Sequence, residues 1–306
     1  MQIERVLVLF LDGVGLGEDD PEVNPFVQAD LPTLRGLLDG RRLVHANSGY
    51  ATRHATLLPL DAQLGVSGLP QSGTGQTTIL TGINAPALLG QHYGPYPNQP
   101  LRDLLSNGSL FAHLLAAGRA AAFANAYPDR FLSRLDRGTE RLSANTRAAL
   151  SAGLKLRGPA DLKAGRAVSA LLTNEYWRQW GYDVPELSPA EAGAQLARLT
   201  EDHVLTYFEF WYTDVAGHRQ DRDLSLHVLH LLDEFIGGAL DVLDLRRTLL
   251  LVISDHGNFE DWRTAKHTHN PALALLIGAG HQTIAPRLQS LQDITPSLKE
   301  ILLPSS

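Results

Sequence analysis

Three apolar runs, each followed closely by an aspartate, constrain what this chain can fold into. Val6-Leu7-Val8-Leu9-Phe10-Leu11 stops at Asp12, the run from Val204 to Trp211 leads to Asp214, and Thr248 to Ser254 stops at Asp255. Runs with no polar alternation read as strands buried on both faces, the condition of a parallel sheet covered by helices. Open sheets of that kind bind ligands outside the carboxyl ends of their strands. The three aspartates are therefore expected on one rim. Ala272–Gly278 reads as a further strand and Ala120–Asn125 as a small-residue strand. Helical patterns lie between the runs, at Leu31–Leu38, Leu110–Ala117 (stopped by Gly118) and Leu224 to about Leu243. Thr295-Pro296-Ser297 reads as the cap of a last helix to Leu303, with Pro at its first helical position. This alternation predicts an α/β fold, a doubly wound and mainly parallel sheet flanked by helices.

The pattern lapses between residues 127 and 189. Buried-strand signals vanish there, Arg and Asp become frequent, and helical pieces show only around Thr146–Ala152 and Thr173–Trp180. The expected division is a core of residues 1–126 and 190–306, carrying a small, mainly helical cap or insertion at 127–189. Its basic residues (Arg130, Arg134, Arg137, Arg141, Arg147) read by default as a solvated face, the alternative being that one or two reach a substrate phosphate. Residues 45–70 read as irregular, and the Gly/Pro/Tyr-rich stretch up to Pro100 as the mouth of a pocket.

The 306 residues include 12 histidines and no cysteine, which excludes thiolate metal sites and leaves Asp, Glu, His and hydroxyls as ligands. The formal charge of −7 gives no attraction for nucleic acid or an anionic membrane. No apolar run is long enough to span a bilayer, and Met1–Arg5 leads into a strand without a signal-peptide pattern, so a cytoplasmic location is expected. Oligomeric state is open.

The remaining chemical signal is Ser67–Gly82, Ser-Gly-Leu-Pro-Gln-Ser-Gly-Thr-Gly-Gln-Thr-Thr-Ile-Leu-Thr-Gly. It brings Ser72 to a Gly-Thr-Gly turn and a helix beginning in the Gln76–Thr81 run, whose start is a natural phosphate site. Taken alone, Ser72 is an N-cap serine, and Thr74 is a rival nucleophile. No Lys follows for a P-loop, and Gly13-Val14-Gly15-Leu16-Gly17 has the wrong spacing for a dinucleotide loop. Asp214 is followed by His218 and Asp255 by His256, with His267 and His269 shortly downstream. Carboxylate with imidazole suits zinc, manganese or a similar divalent ion. Two such ions clamp the attacking and leaving oxygens of an in-line displacement, and a metal activates a serine that is otherwise a poor nucleophile. Gln76 and Arg53 are expected to contact the substrate.

Leu11–Gly17 (LDGVGLG), Gln71–Gly82 (QSGTGQTTILTG), Asp214–Asp221 (DVAGHRQD), Ser254–Asn258 (SDHGN), His267–Pro271 (HTHNP) and Gln292–Leu302 together resemble the alkaline phosphatase superfamily. The resemblance covers about Val6–Asn125 and Val204–Leu303. It is closest to the branch of cofactor-independent phosphoglycerate mutase and phosphopentomutase. It implies two divalent ions, manganese or zinc with magnesium compatible. Asp214, His218 and His267 would hold one. Asp12, Asp255, His256 and the Ser72 oxygen would hold the other. Ser72 would be the nucleophile that is phosphorylated, since it stands ten residues before Gly82. The His-Thr-x-Asn-Pro register favours His267 over His269. The mutases of this branch carry Asn-Ser-Glu-Val-Gly-His around the nucleophile, where this chain has Gln71-Ser72-Gly73-Thr74-Gly75-Gln76. The middle segment is also shorter than that of the phosphoglycerate mutases. The implied activity is hydrolysis of a small phosphorylated substrate through a phosphoserine. A phosphomutase and a non-catalytic metal-binding protein are the alternatives.

Overall fold

β1 (Arg5–Leu11) lies inside a six-stranded sheet, and its six residues from Val6 to Leu11 are at most 1% exposed. In chain order the other strands are β2 (Ala55–Leu60), β3 (Ala121–Phe123), β4 (Asn125–Ala126), β5 (Val168–Ser169), β6 (Leu205–Phe210), β7 (Thr248–Ser254) and β8 (Ala272–Gly278). The computed structural model describes residues 3–303. The sheet order is β2-β8-β7-β1-β6-β3, and β4 pairs with β5 as a separate two-stranded ribbon. β7, β1, β6 and β3 run parallel, while β8 runs antiparallel to both β7 and β2.

Alternation along β1 sorts the core into two layers. Leu7, Leu9 and Leu11 pack on one face with the long Arg222–Leu240 helix and the Pro189–Arg198 helix. Val6, Val8 and Phe10 pack on the other with the Ser72–Thr81, Leu110–Ala116 and Ile294–Leu302 helices. Each fully buried Val, Leu or Phe contributes roughly 1.5–3 kcal/mol over its exposed state. The expected doubly wound α/β architecture is what forms. Among the described residues no helix is long and apolar enough to cross a membrane.

Two elements differ from the sequence reading. The stretch expected to be irregular contains β2, which includes Pro59. Proline cannot donate to a sheet ladder, and β2 is an edge strand whose one partner in the sheet is β8, so Pro59 is tolerated there. The last helix begins at Ile294, before the expected cap. A preceding turn, in which the Asp293 carboxylate accepts from the Ser290 N–H at 2.8 Å, winds directly into it.

Residues 127–189 form short helices, Asp129–Asp136, Ala144–Ser151, Pro159–Lys163 and Glu175–Gln179. Trp177, Leu162, Ala167 and Val184 make a small separate core with Ala126. The Ala144–Ser151 helix packs against the Ser72–Thr81 and Gln99–Gly108 helices, which brings this segment over the carboxyl rim.

Candidate metal centre and its cavity

Sheet register sets the first two carboxylates side by side. Leu11 lies level with Ser254 on β7 and with Phe210 on β6, so the chain leaves all three strands at one height, carrying Asp12 and Asp255 outward. Asp214 follows on the first turn of the Tyr212–Arg219 helix, with His218 one turn later on the same face. Buried bonds fix these exits. The Thr213 hydroxyl donates to the Asp12 carbonyl at 2.6 Å. The Val14 N–H donates to Ser254 Oγ at 2.8 Å, and that hydroxyl donates to the His256 carbonyl at 3.1 Å.

His267 reaches the same rim because β8 is antiparallel. Its first residue, Ala272, starts where β7 ends, so the loop before it lies beside Asp255. The three imidazoles then share one arrangement. His218 Nδ1 faces the Ala265 carbonyl at 2.7 Å, His267 Nδ1 the Pro70 carbonyl at 2.6 Å and His256 Nδ1 the Gly257 carbonyl at 3.3 Å. A carbonyl only accepts, so each Nδ1 carries a hydrogen and each Nε2 is turned towards the carboxylates. His218 Nε2 is 3.4 Å from Asp214 Oδ2, and His267 Nε2 is 3.8 Å from Asp214 Oδ1. His256 Nε2 is 3.5 Å from Asp12 Oδ1 and 3.6 Å from Asp255 Oδ2.

Ser72 opens the Ser72–Thr81 helix at its first position, with extended Gln71 as the N-cap. The helix thus starts four residues before the expected Gln76. Gly73 and Gly75 are helical, and their role is close approach rather than flexibility. A Cβ on Gly73 would lie 2.6 Å from the Tyr93 carbonyl, and one on Gly75 3.0 Å from Asp255 Cβ. Ser72 Oγ sits 3.0 Å from His256 Nε2. The Thr74 hydroxyl is instead spent on backbone, donating to the Gln71 carbonyl at 3.1 Å and accepting from the Tyr93 N–H at 3.2 Å. Gln76 Nε2 donates to Asp12 Oδ2 at 3.3 Å. His269 lies outside the cluster, with Nδ1 2.6 Å from Gln63 Nε2. Arg53 departs from expectation. It precedes β2, whose Ala55 pairs with Ile277 near the far end of β8, so it lies at the opposite rim and cannot reach Ser72.

The electrostatics call for a cation. Asp12 Oδ1, Asp214 Oδ1 and Asp255 Oδ2 are buried without hydrogen-bond partners. Burial, then the charges of Asp255 and Asp214, hold Asp12 well above the usual carboxylate range. Burial also pushes Asp255 up to about 7. Burial pushes Asp214 upward too, but its bond to His218 and the neighbouring imidazoles outweigh this and hold it below its ordinary value. Asp214 in turn pushes His218 up to about 9. Burial, and then His256, hold His267 down to about 4, its lone pair free. Donor atoms of Asp214, His218 and His267 lie within 4.8 Å of one another, as do those of Asp12, Asp214 and His256. Oxygen and imidazole donors of this kind fit divalent zinc or manganese.

Two buried glutamates escaped the sequence reading. The Glu260 carboxylate accepts from the Gly15 and Asn258 N–H groups at 2.8 and 2.9 Å, from Thr268 Oγ1 at 2.5 Å and from Asn270 Nδ2 at 2.9 Å. It thereby ties together the three loops that present Asp12, His256 and His267. Glu209, on β6, accepts from Asn145 Nδ2 at 3.0 Å and Ser143 Oγ at 3.2 Å, and burial pushes it up to about 7. Their only signal was position, one just past SDHGN and the other five residues before Asp214.

Ser72 opens onto a cavity of about 300 Å³. Asp12, Asp214 and Gln76 lie on the core side, Tyr127, Phe131 and Leu142 on the side of the 127–189 segment.

The Metalloenzyme superfamily model matches residues 180–305. A 2,3-bisphosphoglycerate-independent phosphoglycerate mutase of Desulforudis audaxviator is 29% identical over 128 residues, 40% of this chain and 25% of the relative. The enzyme of that name from Pyrococcus abyssi is 26% identical over 131 residues, 40% of this chain and 32% of the relative. The matches thus span a quarter to a third of these relatives. Among solved structures, the PH0037 protein of Pyrococcus horikoshii has a TM-score of 0.60 at 14% identity, covering 98% of this chain and 97% of its own. The alkaline phosphatase of the Antarctic bacterium TAB5 gives 0.54 at 13% identity, covering 98% of both chains. The family match thus covers the last two fifths of the chain, and the chain shares its fold with an alkaline phosphatase.

Proposed function

We propose, from the premise that this chain belongs to the alkaline phosphatase superfamily of metalloenzymes, that it hydrolyses a phosphate ester through a phosphoserine on Ser72. The observation that carries this reading is the convergence of three unpartnered carboxylate oxygens and three imidazole Nε2 atoms around the Ser72 hydroxyl. In this reading Asp214, His218 and His267 hold one divalent ion, and Asp12, Asp255, His256 and Ser72 Oγ hold the other. Bound there, the ions supply the positive charge that favours ionised serine and offsets charge on the transferring phosphoryl oxygens.

The chain's own residues do the rest. The first turn of its helix aims Ser72 Oγ into the cavity. The serine oxygen forms its bond to phosphorus as the ester oxygen's bond to phosphorus breaks. The serine proton goes to solvent, and the departing alcohol oxygen takes one up. Water then attacks the phosphoserine and restores the hydroxyl, releasing inorganic phosphate. The Gln76 amide, anchored on Asp12, lines the cavity within reach of a phosphoryl oxygen.

The phosphomutase reading draws support from the relatives' names. It differs only in that the alcohol stays and takes the phosphoryl group back on another hydroxyl. Manganese-dependent phosphate release from an aryl phosphate, compared between wild type and Ser72→Ala, tests the proposal. Release by wild type that disappears in Ser72→Ala supports it, and equal release by both refutes it. Isomerisation of a diol phosphate without release of phosphate would favour the mutase.

A further inference from the structure

Five arginines of the 127–189 segment, Arg130, Arg134, Arg137, Arg141 and Arg147, separate once their partners are traced. Arg134 pairs with Glu140, and Arg130 lies 4.2 Å over the Trp180 ring. Arg137 is exposed beyond the end of its helix. Arg141 and Arg147 instead line a second cavity of about 500 Å³, together with Arg102 from the Gln99–Gly108 helix. Among the described residues none of these three forms an ion pair with a carboxylate. Glu140, the one acidic residue lining this cavity, is already paired with Arg134.

The pocket is organised despite its unbalanced charge. Arg102 is held by neutral acceptors, donating from Nη1 to the Pro97 carbonyl at 2.9 Å and from Nη2 to Gln99 Oε1 at 2.7 Å. Arg147 Nε is buried with no hydrogen-bond partner. Burial and the facing Arg102 guanidinium hold Arg147 below the ordinary arginine range. Like charges held together without a counter-charge are costly, and a bound anion removes that cost. Guanidinium is suited to carboxylate or phosphate because its donors match both oxygens.

Position makes the pocket relevant to Ser72. Pro95, Tyr96, Arg141 and Leu142 line both this pocket and the Ser72 cavity, so the two adjoin. We propose that the Arg102–Arg141–Arg147 pocket holds a second anionic group of the substrate. The favoured ester then carries a carboxylate or second phosphoryl group on the alcohol that leaves. This rests on the hydrolase reading above and names its substrate class.

The test compares propyl phosphate with two analogues that bear a second anionic group, 3-phosphonooxypropanoate and propane-1,3-diyl bisphosphate. Turnover is measured with manganese in wild type, Arg147→Met and Arg147→Lys. Wild type is expected to favour an ester with the second anionic group by ~10-fold or more in kcat/KM, mainly through KM. Arg147→Met should bring that ratio towards one, and Arg147→Lys should recover part of it. A ratio near one in wild type, or one untouched by Arg147→Met and by Arg102→Gln, overturns the proposal. Free succinate accelerating propyl phosphate turnover, with no preference for the esters bearing a second anionic group, would make the pocket an effector site and also overturn it. Calorimetric binding of the same esters to Ser72→Ala protein reads the arginines without turnover. The same preference seen there, with no hydrolysis by wild type, would fault the hydrolase reading while sustaining the anion pocket.

Discussion

The core rim and the wall that faces it across the Ser72 cavity are built by opposite means. On the rim, side chains are aimed by sheet register and by buried bonds to backbone. The Val14 N–H to Ser254, Thr213 to the Asp12 carbonyl and the four donors on Glu260 leave little freedom. On the facing wall, Tyr127, Phe131 and the arginines come from short helices and the turns between them, of which Ala144–Ser151 packs into the main core, and much of that surface is solvated. A rigid shell suits a centre where carboxylates must be held close against their repulsion. A looser wall suits the choice of substrate, which varies without disturbing the chemistry.

The largest effect should come from the rim. Asp214→Ala and His267→Ala should each lower kcat/KM for an aryl phosphate by ~10³-fold or more with manganese present. A rim variant that kept its rate would dissolve the contrast. The loop tie is expected next. Glu260→Gln reverses one acceptor among four converging donors and should weaken manganese binding by ~10–100-fold in calorimetric titration, with the ligands themselves untouched. Unchanged affinity would mean that the ligands hold their own geometry.

Glu209 sharpens the comparison through stability. Its folded value of about 7 lies above the ordinary 4.5, because burial disfavours the charged form. The folded state therefore binds this proton more tightly than the unfolded chain does. Its contribution is fully present below about pH 4.5 and is lost as pH rises towards about 7, on the order of 2–3 kcal/mol. The difference in urea stability between wild type and Glu209→Gln should change by that amount across the window, and a flat difference would contradict the assignment. The smallest effects belong to residues that share sequence signals with the site but not its location. His269→Ala and Arg53→Ala should stay within about twofold of the wild-type rate, as is usual for surface changes away from a site.

The rim was legible in the sequence because buried strands advertise themselves as unbroken apolar runs, and an aspartate at their end is conspicuous. Asp12, Asp214 and Asp255 emerge that way, and His256 follows from adjacency. His267 was not placed by pattern alone, since its arrival depends on β8 running antiparallel, and strand direction leaves no mark in a run such as Ala272–Gly278. Pro59 hid β2, because proline argues against a strand unless the strand is known to lie at an edge. Arg53 was misplaced with it. Glu260 was invisible because its role consists of accepting bonds that join its own loop to the Gly15 and Thr268–Asn270 loops, which only folding brings together. In the 127–189 segment the helices are one or two turns long, too short for periodicity to show, so Asp129–Asp136 and Pro159–Lys163 passed unread. The sorting of its arginines depended on partners that only folding brings near.

The most direct test of the central claim is to trap the covalent state. Protein turning over an aryl phosphate with manganese would be quenched in acid, digested and analysed by mass spectrometry for phosphate on the peptide containing Ser72. The account predicts phosphoserine at position 72, absent without substrate and absent in Ser72→Ala. Steady release of phosphate with no modified Ser72, or with phosphate on Thr74, would contradict it.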